Sequence, residues 1–298
     1  MRVFVTGATG FIGSAIVKEL IEAGHKVLGL VRSDESAKAL AATGAEVHRG
    51  TLDDLDSLRS GVAATDGVIH TAFIHDFFNY AAACATDKLA IETMVAEIGT
   101  SDKPIIITSG ALLLTPGRLA TEEDFPTLDV SIVPRIASEI LARSLAEKGI
   151  KISVVRLAPS VHDNGDHGFV PQLISIAREK GVSAYIGEGL NRWPAIHRLD
   201  AAHLYRLALE KGAVGAFYHG VADEGVPCRE IAEVIGSQLN LPVVSISPEV
   251  ATEHFSWMGR FFAIDGPTSS KLTQEWLKWR PTHPSLLADL EKGTYFKS

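Results

Sequence analysis

Cysteine is scarce in this chain: Cys84 and Cys228 are the only two in 298 residues. That is too few for a disulfide framework and points to a reducing compartment. Both read as small buried hydrophobes rather than nucleophiles. No apolar run approaches the ~18 residues that a membrane-spanning helix needs. A secretory leader is not expected either, since only Arg2 precedes Val3–Val5 and Gly7 interrupts that run early. Positive charge is in deficit, with 28 Lys and Arg against 36 Asp and Glu and a net charge of −8. Nucleic-acid phosphates call for clustered cations, so the balance argues against a nucleic-acid partner and against anionic membranes. The Gly-x-Ser-x-Gly elbow of a hydrolase is missing. Asp163, Asp166 and His167 lack a convincing metal-ligand spacing, so no metal is expected. These absences leave a cytoplasmic protein acting on a small molecule.

What is present is alternation. Val3–Val5, Val27–Val31, Glu46–His48, Val68–His70, Ile105–Ile107 and Ile152–Val155 read as strands, mostly as continuous apolar runs suited to a parallel sheet covered on both faces. Between them Phe11–Ala23, Ala81–Ile98 and Ala137–Glu147 carry helical spacing. Gly24, Gly99 and Gly149 fall where helices stop. The fold class is therefore α/β, a doubly wound parallel Rossmann sheet. Beyond Arg156 the pattern becomes turn-rich, then Leu199–Glu210 and Cys228–Leu239 read as helices and Ala216–His219 as a strand. One Rossmann-type domain over residues 1–298 is expected, with a core of about 1–160 plus 196–220 and a smaller C-terminal substrate lobe of about 161–195 and 221–298.

Thr6-Gly7-Ala8-Thr9-Gly10-Phe11-Ile12-Gly13 leaves the first strand and opens an amphipathic helix, which is the context a dinucleotide site needs. Gly7 permits the tight turn, Gly10 the close approach of pyrophosphate, and Gly13 the packing of helix on strand. Oriented N–H groups at the helix start then favour phosphate. The second strand ends Leu30-Val31-Arg32-Ser33. An arginine there accommodates a ribose 2′-phosphate, with Ser33 as a further donor, so NADP(H) is favoured over NAD(H).

With these motifs the chain resembles the extended and atypical branches of the short-chain dehydrogenase/reductase superfamily, the epimerase/dehydratase-like group. Gly50-Thr51-Leu52-Asp53-Asp54, His70-Thr71-Ala72, Thr108-Ser109-Gly110, Arg156-Leu157-Ala158-Pro159-Ser160-Val161 and His197-Arg198-Leu199-Asp200-Ala201-Ala202 carry the likeness in order. The resemblance implies cofactor contacts from Gly7, Gly10, Phe11, Ile12 and Arg32, from Leu52 beside adenine, and from Thr71, Ala72 and Phe73 beside ribose and pyrophosphate. It also places Pro159, Ser160 and Val161 beside nicotinamide, and implies a homodimer through Ala81–Ile98 and Ala137–Glu147.

The family's Tyr/Lys pair is missing. None of Tyr80, Tyr185, Tyr205, Tyr218 and Tyr295 has Lys four positions on. Aligning Ser138-Glu139 with the family's Ser-Lys puts Arg135 at the Tyr position and Glu139 at the Lys position, and Gly110 stands where the catalytic Ser usually does. The candidates left are His75 and His162 as proton donors, with His167 nearby. Each is alternatively a loop histidine bonded to a backbone carbonyl. Arg135 is too basic to release a proton. It either clamps a carboxylate or oxyanion or pairs with Glu139 one turn on. Ser109 either orients a carbonyl or stabilises its turn. Tyr185, Arg192 and Trp193 are read either as pocket lining or, for Trp193, as a packing corner. The function expected is NADP(H)-dependent hydride transfer to a small carbonyl or enone. A non-catalytic NADP(H) sensor and an epimerase/dehydratase-type enzyme are the alternatives.

Overall fold

The computed structural model describes residues 1–296. Its strands are β1 (Arg2–Thr6), β2 (Lys26–Val31), β3 (Glu46–Arg49), β4 (Gly67–His70), β5 (Ile105–Gly110), β6 (Ile152–Leu157), β7 (Ser160–His162), β8 (Ser183–Ile186), β9 (Arg192–His197), β10 (Phe217–Gly220), β11 (Asp223–Pro227) and β12 (Val243–Ile246). The main helices are α1 (Phe11–Glu22), α2 (Asp34–Ala41), α3 (Leu55–Ala63), α4 (Tyr80–Ile98), α5 (Ile136–Glu147), α6 (Phe169–Lys180), α7 (Arg198–Lys211) and α8 (Cys228–Leu239).

Seven parallel strands form one sheet in the order β3-β2-β1-β4-β5-β6-β10. Successive side chains alternate between its faces. Val3, Val5, Ile106, Val155 and Leu157 enter a core shared with α1 and α7. Phe4, Ile105, Ile107, Ile152 and Val154 enter a second core against α4 and α5. Burying such a side chain contributes about 1.5–3 kcal/mol, and two filled faces explain why the strands read as unbroken apolar runs. Strand order reverses at β1 and β4, which opens a crevice at their C-terminal ends, the place where open α/β sheets bind ligands.

β5 runs three residues beyond its apolar run, because Thr108, Ser109 and Gly110 stay in register with Val155, Arg156 and Leu157 of β6. Polar side chains hid this extension from hydrophobic patterning. It carries Ser109 and Gly110 to the edge of the crevice.

The C-terminal part builds two small sheets, β11-β9-β7 and β12-β8. A third core, including Leu173, Trp193, Phe255, Met258, Phe262 and Leu286, holds them to α6 and α8. α7 packs on α1, and β10 joins the edge of the main sheet. Among the described residues no helix is long and apolar enough to cross a membrane, and no cluster of three or more His, Cys, Asp or Glu could hold a metal ion.

Candidate active site

The loop from β1 to α1 is shaped by its glycines. Gly7 has a φ of +72°, and a Cβ there would stand 2.9 Å from Ala72 N and from Thr71 Oγ1. A Cβ on Gly13 would lie 1.9 Å from the Gly7 carbonyl, so only glycine lets α1 sit this close to the turn. Gly10 is the N-cap of α1, which has no side-chain cap and no acidic residue in its first turn. By contrast α2 and α3 are capped by Ser33 and Asp54. The α1 N–H groups are thus left to an external anion. Thr9 and Gly10 are exposed, and Phe11 and Ile12 half-buried, around this opening. Thr71 Oγ1 donates to Thr6 O at 2.8 Å, tying the β4 end to the cradle. These features fit a dinucleotide pyrophosphate.

At the end of β2, Arg32 is exposed and has no ion partner among the described residues. Ser33 Oγ accepts from Ser36 N at 3.2 Å as the cap of α2. Asp34 pairs instead with Arg49. Leu52 is buried in the core beside Leu30. Ser160 is buried in β7 with its Oγ unpartnered among the described residues, flanked by half-buried Pro159 and Val161.

Ser109 shares its face of β5 with Ile105 and Ile107, the face toward α4 and α5. It is 5% exposed, and its Oγ has no hydrogen-bond partner among the described residues. Arg135, at the start of α5, reaches the backbone of the preceding residue of β5. One of its amino groups donates to the Thr108 carbonyl at 2.6 Å. The other donates to Ser138 Oγ at 3.2 Å and to Asp87 Oδ2. Ser138 Oγ also donates to Asp87 Oδ2 at 2.6 Å. His70 Nε2 meets Asp87 Oδ1 at 3.3 Å, and its Nδ1 meets Thr6 Oγ1 at 2.7 Å. A carboxylate only accepts, so the His70 proton sits on Nε2. Burial works to raise the Asp87 pKa, but the His70 hydrogen bond and the Arg135 charge bring it below the ordinary carboxylate value.

One of the two readings of Arg135 falls here. Arg135 does not pair with Glu139. Glu139 is buried against Arg156, which donates from Nη2 at 2.8 Å and from Nε at 3.1 Å. A helical turn separates Arg135 from Glu139, but Arg135 turns to Asp87 of α4 and Glu139 to Arg156 of β6. His162 closes β7 directly before the 163–168 loop. It is fully buried in β7, with Nδ1 2.9 Å from Asp289 Oδ2, and its ring abuts His197, which stacks on His283 at 4.6 Å. His167 is exposed and sets its ring edge against Phe11, 5.8 Å between centroids.

His75 lies in the loop after β4, exposed at its surface and 5.4 Å from the Phe73 ring. Desolvation, chiefly, and the charge of His167 lower its pKa. Phe73 also carries the Arg135 guanidinium 4.5 Å over its ring. Of the lobe residues, Arg192 is held by Asp265 in a two-pronged pair, and Trp193 is fully buried with Nε1 donating to Phe261 O. Trp193 is thus a packing corner.

Sequence reasoning missed Asp87 and the ring cluster of Phe77 and Trp257. Asp87 was readable in principle: it interrupts the buried stripe Ala83, Ala90, Ile91 and Met94 of α4. A carboxylate on an apolar stripe needs a buried partner. The stacking of Phe77 on Trp257 joins distant segments and left no local signal.

The NAD dependent epimerase/dehydratase family model matches residues 3–219, and the chain belongs to that family. It is similar to an uncharacterized protein of Schizosaccharomyces pombe, 52% identical over 297 residues, covering 99% of this chain and 100% of the relative. A 2-alkyl-3-oxoalkanoate reductase of Stenotrophomonas maltophilia is 29% identical over 265 residues, covering 82% of this chain and 77% of that protein. In fold it is similar to DesIV, a dTDP-glucose 4,6-dehydratase of Streptomyces venezuelae, with a TM-score of 0.79 at 17% identity over 99% of this chain and 96% of DesIV.

Proposed function

We propose that this protein is an NADP(H)-dependent oxidoreductase that reduces a small carbonyl compound or enone. The observation that carries this reading is the Ser109 hydroxyl, buried without a partner among the described residues, one residue beyond the Thr108 carbonyl that the Arg135 guanidinium bonds. A buried polar group left unpaired costs about 1–3 kcal/mol, and a substrate carbonyl oxygen is the acceptor it lacks. Relatives named as reductases support carbonyl reduction.

The dinucleotide, held by Gly7, Gly10, Phe11, Ile12 and Gly13, supplies the hydride when bound. Ser109 orients the carbonyl by donating to its oxygen. Arg135 stabilises negative charge developing there, in a site where partial burial strengthens the field. It keeps its own proton. His75 exchanges the product's proton with solvent. Its lowered pKa makes it a base near neutrality and an acid only at lower pH. An enolate from an enone can collect its proton from water directly. Arg32, unpaired at the end of β2, supports a 2′-phosphate and hence NADP(H) over NAD(H).

The test is NADPH absorbance with purified protein and a panel of aldehydes, ketones and enones. NADPH consumption with any of them supports the reading. Tight NADPH binding without turnover across the panel favours a sensor and overturns it. Conversion of substrate with no net NADPH loss points instead to epimerase or dehydratase chemistry.

A further inference from the structure

Three polar residues stand in line in the buried centre of the main domain. Thr6 and His70 are the last register partners of β1 and β4, and Asp87 meets them from α4; none is more than 1% exposed. The Ala72 amide donates to Thr6 Oγ1 at 3.3 Å. Since the His70 proton sits on Nε2, its Nδ1 accepts from the Thr6 hydroxyl at 2.7 Å, and Nε2 donates to Asp87 Oδ1 at 3.3 Å. Every donor in this line points toward the Asp87 carboxylate. Arg135 and Ser138 donate to its other oxygen.

A buried line of this kind is costly wherever a link is missing, and its bonds reinforce one another when complete. One end of it is the dinucleotide turn. Thr6 opens that turn, and Thr71 Oγ1 donates to the Thr6 carbonyl at 2.8 Å. A Cβ on Gly7 would stand 2.9 Å from Ala72 N, so the turn and the β4 end are in contact and cannot shift independently. The other end is Arg135, which donates to the Thr108 carbonyl at 2.6 Å. One carboxylate thus serves both the glycine turn and the backbone just before Ser109.

We propose that Asp87 is a positioning residue for the dinucleotide: through His70 it orients the Thr6 hydroxyl and so holds the Gly7 turn against the end of β4. This rests on the dinucleotide-binding part of the reading above and not on carbonyl reduction. The direction of the line is set by the carboxylate, which only accepts, whereas an asparagine side chain also donates. In Asp87→Asn the amide oxygen keeps Arg135 and Ser138 while the NH2 faces His70, so the His70 proton moves to Nδ1. The Thr6 oxygen then receives two donors, from His70 and Ala72, and its own proton loses its acceptor.

The experiment compares the full chain as wild type, Asp87→Asn, Thr6→Val and the double variant. NADPH affinity is read by fluorescence titration, the His70 tautomer by heteronuclear NMR of the labelled ring, and the fold by circular dichroism. Wild type should carry the proton on Nε2 and Asp87→Asn on Nδ1. Asp87→Asn and Thr6→Val should each weaken NADPH binding about two- to ten-fold, the size of one net hydrogen bond, and the double variant no more than either alone. A loss carried by Arg135 instead would add to that of Thr6→Val. Additive losses, unchanged NADPH affinity in Asp87→Asn, or an Nδ1–H ring in wild type overturn the assignment. Should Thr6→Val lose its fold, Asp87→Asn decides by tautomer and affinity together. Wild type that binds neither NADPH nor NADH overturns it along with the cofactor reading. NADPH binding that follows these variants, with no turnover of any carbonyl compound, supports the positioning role and counts against the oxidoreductase.

Discussion

Arg135 and Asp87 form a buried ion pair across the seam between α4 and α5, with Ser138 donating to the same carboxylate oxygen. Breaking a buried pair by removing one partner leaves an uncompensated charge and costs about 3–5 kcal/mol. Asp87→Ala should destabilise the protein by that amount in urea denaturation. The double variant with Arg135→Met should recover much of the loss, giving a coupling energy above about 1 kcal/mol. Additive losses would mean the two side chains do not interact.

Ser109 presents the opposite case, a buried group whose partner the protein does not provide. Ser109→Ala should change stability by less than about 1 kcal/mol, since no internal hydrogen bond is lost. It should lower kcat about 100-fold if the hydroxyl binds the developing oxyanion. The neighbouring Gly110 has a φ of −125°, and an added Cβ meets nothing within 4 Å. Gly110→Ser should therefore fold normally, with an unchanged Tm. A large kcat loss in Ser109→Ala accompanied by a collapsed Tm would instead mark a structural serine.

Arg32 discriminates between cofactors. Arg32→Ala should weaken NADPH binding about 10- to 100-fold, the loss of one charge-assisted pair of roughly 1.5–3 kcal/mol, and leave NADH binding unchanged. Fluorescence titration with both nucleotides measures this. Equal losses for the two would remove the 2′-phosphate from the explanation.

His219 makes stability depend on pH. Its Nδ1–H donates to Ser269 O at 2.7 Å, while Nε2 accepts from Arg156 at 3.2 Å. Burial first, then the Arg156 charge, push its pKa down to about 3 from 6.5. The unfolded chain therefore binds a proton near 6.5 that the folded chain refuses. Stability from this residue is complete above that pH and falls toward pH 3, by up to about 1.4 kcal/mol per pH unit. Tm should drop between pH 7 and pH 5. His219→Gln, which keeps a donor and an acceptor, should flatten that slope; an unchanged slope would assign the acid sensitivity to other groups.

The fold was legible because its signals are local. Val3–Val5 followed by Gly7, Gly10 and Gly13 is a strand, a turn and a helix start within one short stretch, and both strand faces are apolar because both are covered. The site was legible only in part. Ser109, Arg135 and Arg32 announce themselves by falling at strand ends and helix starts. Which partner each meets is a matter of separations such as 48 residues between Asp87 and Arg135.

The residue order alone settled the class of the chain: a doubly wound parallel sheet with a glycine-lined turn, since periodicity and φ requirements act over a few residues. Packing settled the rest. It turned Arg135 away from Glu139 toward Asp87, buried His162 against Asp289, and laid Phe77 on Trp257. Those outcomes depend on how α4, α5 and the C-terminal lobe meet, and on the need of every buried charge for a nearby partner, which no window of sequence contains.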